Sequence, residues 1–283
     1  GGGTSETDGG GGGLLVVGSG ITIVPGDKKT VTSVMMYGVD VSGGIAATDG
    51  GCVLVKGAPY VMSGVKISGC NAGRHGGGLF TESSTASTIF SSMISHSVAA
   101  ESGGGYFQKG GSAALSRVVV DTCRTTKLEI TNGNTNEVGG GGVVITDNAV
   151  IDLIDVSVLR TRGGGVLTLG DSTLQMSGVR IEGGQAKYGA GLAMFGGSTT
   201  MRDSSIRGTM TGPAQGGAGM FMDAGARLTC ERCEVRANNA SIGGGLAMTG
   251  QSTATFRDSV VAQNGAALKG DWFHGGHGVA AFG

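Results

Sequence analysis

The chain contains little proline, few charged residues and few aromatic side chains. Of its 283 residues, 3 are proline, 14% are charged and 5% are aromatic, and the formal net charge is −1. Nucleic acids and anionic membranes bind basic patches, so this balance argues against both as partners. No stretch approaches the ~18 consecutive apolar residues of a membrane-spanning helix. No signal peptide is visible, and the start at Gly1 indicates a mature, trimmed or partial chain.

Glycine, in contrast, is abundant. The chain contains 60 glycines, yet 39% of its residues are hydrophobic, which distinguishes it from disordered glycine-rich segments. The glycines do not follow the strict triplet of collagen. They form clusters that are each followed by apolar residues, and the last glycines of these clusters are Gly51, Gly78, Gly105, Gly142, Gly165, Gly191, Gly219 and Gly245.

The glycine clusters recur at a nearly constant spacing. Most of the markers are 26 to 28 residues apart, and an internal repeat of this length indicates a solenoid. The longest interval contains the polar run 125–137, which we expect to be a loop insertion. We expect one domain over residues 1–283, with irregular first coils at 9–50 and a terminal coil or interface segment at 270–283.

Each repeat contains three short segments in which apolar residues alternate with polar ones, as in β-strands. After Gly219 the apolar pairs are Met220/Met222, Leu228/Cys230 and Cys233/Val235. Alternate residues of a strand point the same way, so each pair faces an interior. Glycine would also cost a helix about 1 kcal/mol per residue. We therefore predict an all-β parallel solenoid with three strands per coil and about 27 residues per coil.

Stacked coils place equivalent side chains in columns along the solenoid axis. The repeat register predicts one buried column of methionines and two exposed ladders of alternating charge, in which opposite charges on neighbouring strands attract. The methionine column is Met194, Met222 and Met248. The two ladders are Arg202, Glu231 and Arg257, and Asp203, Arg232 and Asp258.

The pattern of a glycine cluster, two alternating apolar segments and a terminal Asn-x-Ala resembles the right-handed parallel β-helix repeat. Phe256-Arg257-Asp258-Ser259 and Asn264-Gly265-Ala266 are similar to motifs in the passenger repeats of polymorphic outer-membrane proteins and related adhesins. The resemblance covers residues 9 to 283 and implies a single-stranded right-handed β-helix of the pectin-lyase-like superfamily. That superfamily includes polysaccharide lyases, pectin hydrolases, phage tailspikes and adhesins, so the fold alone does not identify an activity.

Candidate catalytic residues are sparse. Gly276-His277-Gly278 matches a short polygalacturonase motif, but the paired carboxylates that glycoside cleavage requires are missing. Asp147, Asp152 and Asp155 are the best candidates for the acidic cluster of a lyase. Asp271, Trp272, His274 and His277 form a patch that fits a last coil or a subunit contact better than a metal or sugar site. We predict no catalytic residue, no cofactor site and no metal site.

The five cysteines leave at least one thiol unpaired within the chain. Cys230 and Cys233 occupy inward positions and are either buried thiols, a local disulfide or, least favoured, metal ligands. Cys70 and Cys123 align two coils apart, about 9.6 Å, which is too far for a disulfide. Asn239-Ala240-Ser241 is a glycosylation sequon, which makes Asn239 a candidate acceptor in a secreted protein.

These features favour a non-catalytic structural or adhesive protein of an extracellular surface or filament. A net charge near zero favours self-association, because repulsion between copies is weak. We therefore expect self-association or contact with neighbouring structural subunits, or a place in a longer chain, with glycans as further candidate partners. The alternative is a carbohydrate-binding β-helix, or one that cleaves polysaccharides by lyase chemistry.

Overall fold

The structure, a computed structural model, describes residues 13–17, 20–24, 33–126, 140–212, 216–266 and 279–281. All regular secondary structure in these ranges is β, without an α-helix. The chain passes in turn through three long parallel sheets, here named A, B and C, and then through a short fourth sheet, D. The predicted all-β parallel solenoid is confirmed, and the two-residue strands of sheet D are an addition to the three strands expected per coil.

Sheet A begins directly after the glycine clusters. Its inward residues are mostly aliphatic, and the first outward residue of most strands is apolar as well, as at Phe80 and Phe107. Its eleven strands are β1 (Gly13–Val17), β2 (Gly20–Val24), β6 (Val53–Lys56), β10 (Leu79–Glu82), β14 (Tyr106–Lys109), β18 (Val143–Thr146), β21 (Val166–Leu169), β25 (Leu192–Phe195), β29 (Met220–Asp223), β33 (Leu246–Met248) and β37 (Val279–Ala281).

Sheet B follows after a short turn and alternates buried and exposed residues. It has nine strands, so eight turns of the solenoid separate its first strand from its last. The strands are β3 (Val34–Tyr37), β7 (Tyr60–Ser63), β11 (Ser87–Phe90), β15 (Ser112–Ser116), β19 (Val150–Ile154), β22 (Thr173–Ser177), β26 (Ser198–Arg202), β30 (Arg227–Glu231) and β34 (Thr253–Arg257).

Sheet C has nine strands of three residues. In most of them the central side chain is more buried than the two that flank it. The strands are β4 (Asp40–Ser42), β8 (Lys66–Ser68), β12 (Met93–Ser95), β16 (Val119–Asp121), β20 (Ser157–Leu159), β23 (Arg180–Glu182), β27 (Ser205–Arg207), β31 (Glu234–Arg236) and β35 (Val260–Ala262).

Sheet D consists of two four-stranded parts that single bridges through Arg162 connect. The strands of the first part are β5 (Ile45–Ala46), β9 (Asn71–Ala72), β13 (Val98–Ala99) and β17 (Arg124–Thr125). Those of the second part are β24 (Gln185–Ala186), β28 (Met210–Thr211), β32 (Asn239–Ala240) and β36 (Gly265–Ala266).

The start of the solenoid differs from the expectation in two ways. Strand β1 pairs antiparallel with β2, whereas every other described strand pair is parallel. Residues 34–46, which we expected to be part of an irregular start, form the regular strands β3, β4 and β5. The sheet A strand of this coil is β2, and the sequence there reads Gly18-Ser19-Gly20 instead of a run of glycines, so no glycine cluster marks the coil. Residues 127–137 of the predicted loop, and 270–278, 282 and 283 of the predicted terminal segment, lie outside the described residues.

The glycine clusters allow adjacent coils to approach closely. The first glycine of several clusters, such as Gly76 with φ +65°, adopts the left-handed conformation that other residues avoid. The second glycine has no room for a side chain. A Cβ on Gly77 would lie 2.4 Å from the Gly104 carbonyl oxygen, and one on Gly104 would lie 2.3 Å from that of Arg124. The clusters therefore mark both a sharp turn and backbone stacking.

Buried serines stabilise the turns between sheets B and C. The turn residue itself has a positive φ in coil after coil, as at Ser91 and Asp203. The next residue points inward, and where it is serine its hydroxyl satisfies the backbone. Ser204 Oγ accepts a hydrogen bond from the Val179 amide of the preceding coil at 3.0 Å and donates one to the Arg202 carbonyl at 2.7 Å. Buried backbone groups rarely remain unpaired, so these serines are part of the fold.

The solenoid interior also contains a polar cluster. Tyr60 and Tyr106 are fully buried, and their hydroxyls are hydrogen-bonded at 2.8 Å. Gln108 joins them by accepting hydrogen bonds from Tyr106 and, at 2.6 Å, from Thr81. Burial raises the pKa of Tyr106 to about 12, so the cluster stays uncharged at neutral pH.

Candidate interaction face

The outer surface of sheet B carries two columns of outward side chains that run through all nine strands. In the first five coils these columns are nearly free of charge. One column is Met35, Val61, Thr88, Ala114 and Asp152. The other is Tyr37, Ser63, Phe90, Ser116 and Ile154. We name this surface the apolar half of sheet B and include Val150, which is in register with Ser112.

Several large apolar side chains on this half are open to solvent. Met35 is 61% exposed and Tyr37 is 60% exposed, while Val150 and Ile154 are each more than two-fifths exposed. Phe90 is half-buried, because the guanidinium carbon of Arg117 lies 4.0 Å from its ring centroid. Exposed apolar side chains that cluster on one face are typical of interaction surfaces, whereas single ones are common on any protein.

The other half of the same face is charged. The column that begins with Tyr37 continues through Arg202, Glu231 and Arg257, which are in register on successive coils. The Arg202 Nε atom donates a hydrogen bond to Glu231 at 3.1 Å. Both side chains are partly exposed, so their attraction contributes about 0–1 kcal/mol and serves register more than stability.

The second predicted ladder lies at the turn between sheets B and C. Arg232 binds both carboxylate oxygens of Asp203, at 2.7 Å and 3.0 Å, and also binds Glu231 at 2.6 Å. The hydrogen bond from Arg232 lowers the pKa of Asp203. Asp203, Arg232 and Asp258 all have positive φ, so the structure places them at equivalent turn positions.

A third ladder, on the outer surface of sheet A, was not predicted. Lys56, Glu82 and Lys109 are in register, and both lysines contact the Glu82 carboxylate, at 3.1 Å and 2.8 Å. The hydrogen bond from Lys109 is the main cause of the lowered pKa of Glu82. The alternating signs at strand ends Lys56, Glu82 and Lys109 were the available signal in the sequence.

On the strands that carry this ladder, aromatic rings stack on one another at the outer surface of sheet A. Phe80 and Phe107 stack with centroids 5.3 Å apart, and the ring of His75 stacks on Phe107 at 4.6 Å. The His75 Nε2 atom lies 3.5 Å from a Glu101 carboxylate oxygen. Its Nδ1 atom is buried without a hydrogen-bond partner among the described residues.

We expect His75 to make the stability of the protein depend on pH. Burial lowers the pKa of His75, so the unfolded chain binds a proton more readily than the folded protein. Its stabilising contribution is therefore complete above pH ~6.5 and is lost as the pH falls through that value towards the folded pKa. Between pH 7.5 and 5.5, the denaturation midpoint of the His75→Asn variant should change less than that of the unsubstituted protein.

The charged groups around His75 have opposite effects on its pKa. Asp49 and Glu101 favour its protonation, whereas Arg74 and Lys109 disfavour it. His96→Asn is the matched control, because it makes the same chemical change at an exposed position. Equal profiles for the His75→Asn variant and the unsubstituted protein would contradict this role.

The cysteines divide into one disulfide and three free thiols. Cys52 and Cys70 form a disulfide within one coil, which the sequence analysis did not predict. The prediction that Cys70 and Cys123 are not bonded to each other is confirmed, and Cys123 is a buried thiol whose pKa burial raises to about 12. Cys230 and Cys233 are also free and buried, so the structure contains the thiol alternative and not a local disulfide. The hydrogen bond to Cys233 and burial both raise the pKa of Cys230.

The three aspartates considered for a lyase do not converge. Asp152 lies on the outward face of β19, Asp155 occupies the following turn, and Asp147 precedes the strand. Asp155 is three positions after Asp152 in the chain, which corresponds to about 10 Å along an extended backbone. No group of three metal-binding side chains occurs in the described ranges. The Gly276-His277-Gly278 motif and the patch of Asp271, Trp272, His274 and His277 lie outside the described residues.

The remaining predicted positions follow the repeat register. Met194, Met222 and Met248 stack in one inward column, and the first two are fully buried. Asn239 is exposed on the outer surface of sheet D, where it stays a candidate acceptor for a glycan. No helix among the described residues is long and apolar enough to cross a membrane.

Comparison with known protein families agrees with this geometry. The family described as the right handed beta helix region matches residues 116–282, which is more than half of the chain. No curated protein and no solved structure matches the chain significantly. The family includes both enzymes and proteins without catalytic activity, so it does not decide between those roles. The match and the stacked parallel coils together show that the chain belongs to the right-handed β-helix family.

Proposed function

We propose that the protein is a non-catalytic structural rod of an extracellular surface or filament, which associates with further copies through the apolar half of sheet B. The observation that carries this proposal is the division of one sheet surface into an exposed apolar half and a charged half. Both halves belong to one continuous sheet of parallel strands, so the contrast between them comes from their side chains. A formal net charge of −1 leaves little repulsion between copies.

The ion ladders support a structural role. Glu82, Asp203 and Glu231 each form ion pairs with lysine or arginine side chains. In every case at least one of these side chains belongs to a neighbouring coil. The pKa values of Glu82 and Asp203 are lowered, chiefly by hydrogen bonds from Lys109 and Arg232. A general acid requires the opposite shift, because it must hold its proton near neutral pH. These carboxylates are therefore suited to joining coils.

The disulfide supports an extracellular location. Cys52 and Cys70 are almost completely buried and lie 18 residues apart within one coil. Disulfides persist in oxidising compartments and are rare in the cytosol. A rod that carries this bond fits a cell surface or a secreted filament.

A carbohydrate-binding or polysaccharide-cleaving role is the second candidate, and Asp152 is the residue that favours it. Asp152 is the single acidic side chain in the two outward columns of the apolar half. One of its carboxylate oxygens is buried without a hydrogen-bond partner among the described residues. A carboxylate on this outer surface is an acceptor for sugar hydroxyls, and exposed aromatic and aliphatic side chains lie on the same face.

Sedimentation velocity over a range of concentrations tests the primary proposal. We expect the unsubstituted protein to form larger species as its concentration rises. A triple variant with Met35→Ser, Tyr37→Ser and Ile154→Ser should remain monomeric. The matched control changes two other exposed apolar residues, Met210→Ser and Val260→Ser, and should associate like the unsubstituted protein.

Two results would contradict the proposal. One is a monomer at every concentration for all three proteins. The other is polysaccharide turnover by the unsubstituted protein that Asp152→Asn abolishes, in which case the second candidate replaces the first. Negative-stain images of the native assembly distinguish a filament from a free monomer directly.

A further inference from the structure

Charged side chains that stack on successive coils follow a rule of alternating sign in most of the described solenoid. Each like pair would repel at the spacing of ~4.8 Å between neighbouring strands, whereas opposite charges attract. The two predicted ladders and the Lys56, Glu82 and Lys109 ladder obey this rule. A position that breaks the rule without compensation is a candidate functional site.

Sheet D contains such a position. Arg124 and Arg162 are in register on adjacent coils, and both are exposed on the outer surface. Arg162 is in turn in register with Gln185, whose amide is also exposed. No ion pair within the described part of the chain engages either arginine. Three successive coils therefore present hydrogen-bond donors in one column.

In a second pair of arginines in register, a neighbouring carboxylate compensates the repulsion. Arg207 and Arg236 lie on neighbouring strands of sheet C. Glu234 contacts both guanidinium groups, so that pair is neutralised internally. The acid closest in sequence to Arg124 is unavailable for the same purpose, because Asp121 forms a two-pronged ion pair with Arg160.

We propose that Arg124 and Arg162 form a binding site for an oxyanion, a sulfate or phosphate group held between two guanidinium forks, with the Gln185 amide as a third donor. The guanidinium group presents paired N–H donors in a plane, which match the oxygens of such groups. The two arginines are in register on adjacent coils, so their side chains start from neighbouring positions of the outer surface. The oxyanion supplies the negative charge that this column lacks.

Thermal unfolding in sulfate and in chloride at equal ionic strength tests the site. Sulfate should raise the Tm of the unsubstituted protein saturably, because a ligand that binds the folded state stabilises it. The rise should fall by about half or more in each of the variants Arg124→Gln and Arg162→Gln. In chloride, both variants should be at least as stable as the unsubstituted protein, because the repulsion is removed.

Arg227→Gln is the matched control. Arg227 is an exposed arginine of sheet B whose neighbours in register are the uncharged Ser198 and Thr253. This variant should keep the full response to sulfate. An equal sulfate response in all four proteins would overturn the proposal, because it would be the general stabilising effect of that salt. A loss of stability in chloride for the sheet D variants would overturn it as well.

Calorimetric titration then identifies the source of the oxyanion. One arm uses inorganic sulfate and the other uses a heparin-derived tetrasaccharide. Tighter binding of the tetrasaccharide, lost in both sheet D variants, assigns the site to a sulfated glycan, and equal or weaker binding assigns it to the free ion. Arg124→Gln and Arg162→Gln should self-associate like the unsubstituted protein, so failure of this proposal is distinguishable from failure of the proposed function.

Discussion

We expect Gly77→Ala to destabilise the protein by about 3 kcal/mol, at the upper end of the usual cost of overpacking. The added Cβ would lie 2.4 Å from the Gly104 carbonyl oxygen and 2.5 Å from that of Val98. Both contacts are with backbone atoms, so no side-chain rotation relieves them. Adjacent coils would have to separate locally, which weakens strand pairing on both sides. The midpoint of chemical denaturation measures the loss.

Gly57→Ala is the control for this prediction. Gly57 has a φ of +62° and no atom within 4 Å of an added Cβ. Its substitution should cost only about 1 kcal/mol, the penalty of a left-handed conformation for a residue with a side chain. Equal midpoints for the two variants would show that turn conformation, and not coil stacking, determines the glycine pattern.

We expect loss of the Cys52–Cys70 disulfide to lower the free energy of unfolding by about 3 kcal/mol, the value for a loop of this size. The bond closes a segment of 18 residues, which restricts the unfolded chain and so favours the folded state. The double variant Cys52→Ala/Cys70→Ala should unfold at a lower denaturant concentration than the unsubstituted protein. Both cysteines are buried, so the small alanine side chains add some loss of packing.

A reducing agent separates the contribution of the covalent bond from that of side-chain packing. It should shift the transition of the unsubstituted protein towards that of the double variant and leave the double variant unchanged. The three free thiols, Cys123, Cys230 and Cys233, are present in both proteins and serve as the internal control. A transition that does not respond to the reducing agent in either protein would contradict a stabilising disulfide.

The failures of sequence-based prediction have local causes. Strands of two residues, such as Val98–Ala99, are too short for alternation to be visible, so sheet D was missed. The outward aromatic residues Phe80 and Phe107 follow inward apolar residues directly, which hides the outer cluster within an apolar run. The long interval after Gly105 conceals the register of Arg124 with Arg162, because inserted residues break the constant repeat.

The sequence alone determined the coil length, the parallel stacking and the inward columns. Each of these depends on a local pattern that recurs, namely a glycine cluster followed by alternating apolar residues. The inward stacking of Met194, Met222 and Met248 needs no other information. The sign alternation of Arg202, Glu231 and Arg257 is readable in the same way, since their repeats differ little in length.

Only the tertiary structure decided which residues meet around a single coil and which face remains open. The closeness of Cys52 and Cys70 depends on how far the chain turns between them, and strand alternation carries no measure of that angle. The exposure of Met35 and Tyr37 likewise depends on what lies over sheet B. Contacts of this kind sum the geometry of several turns, whereas a sequence pattern reports each segment separately.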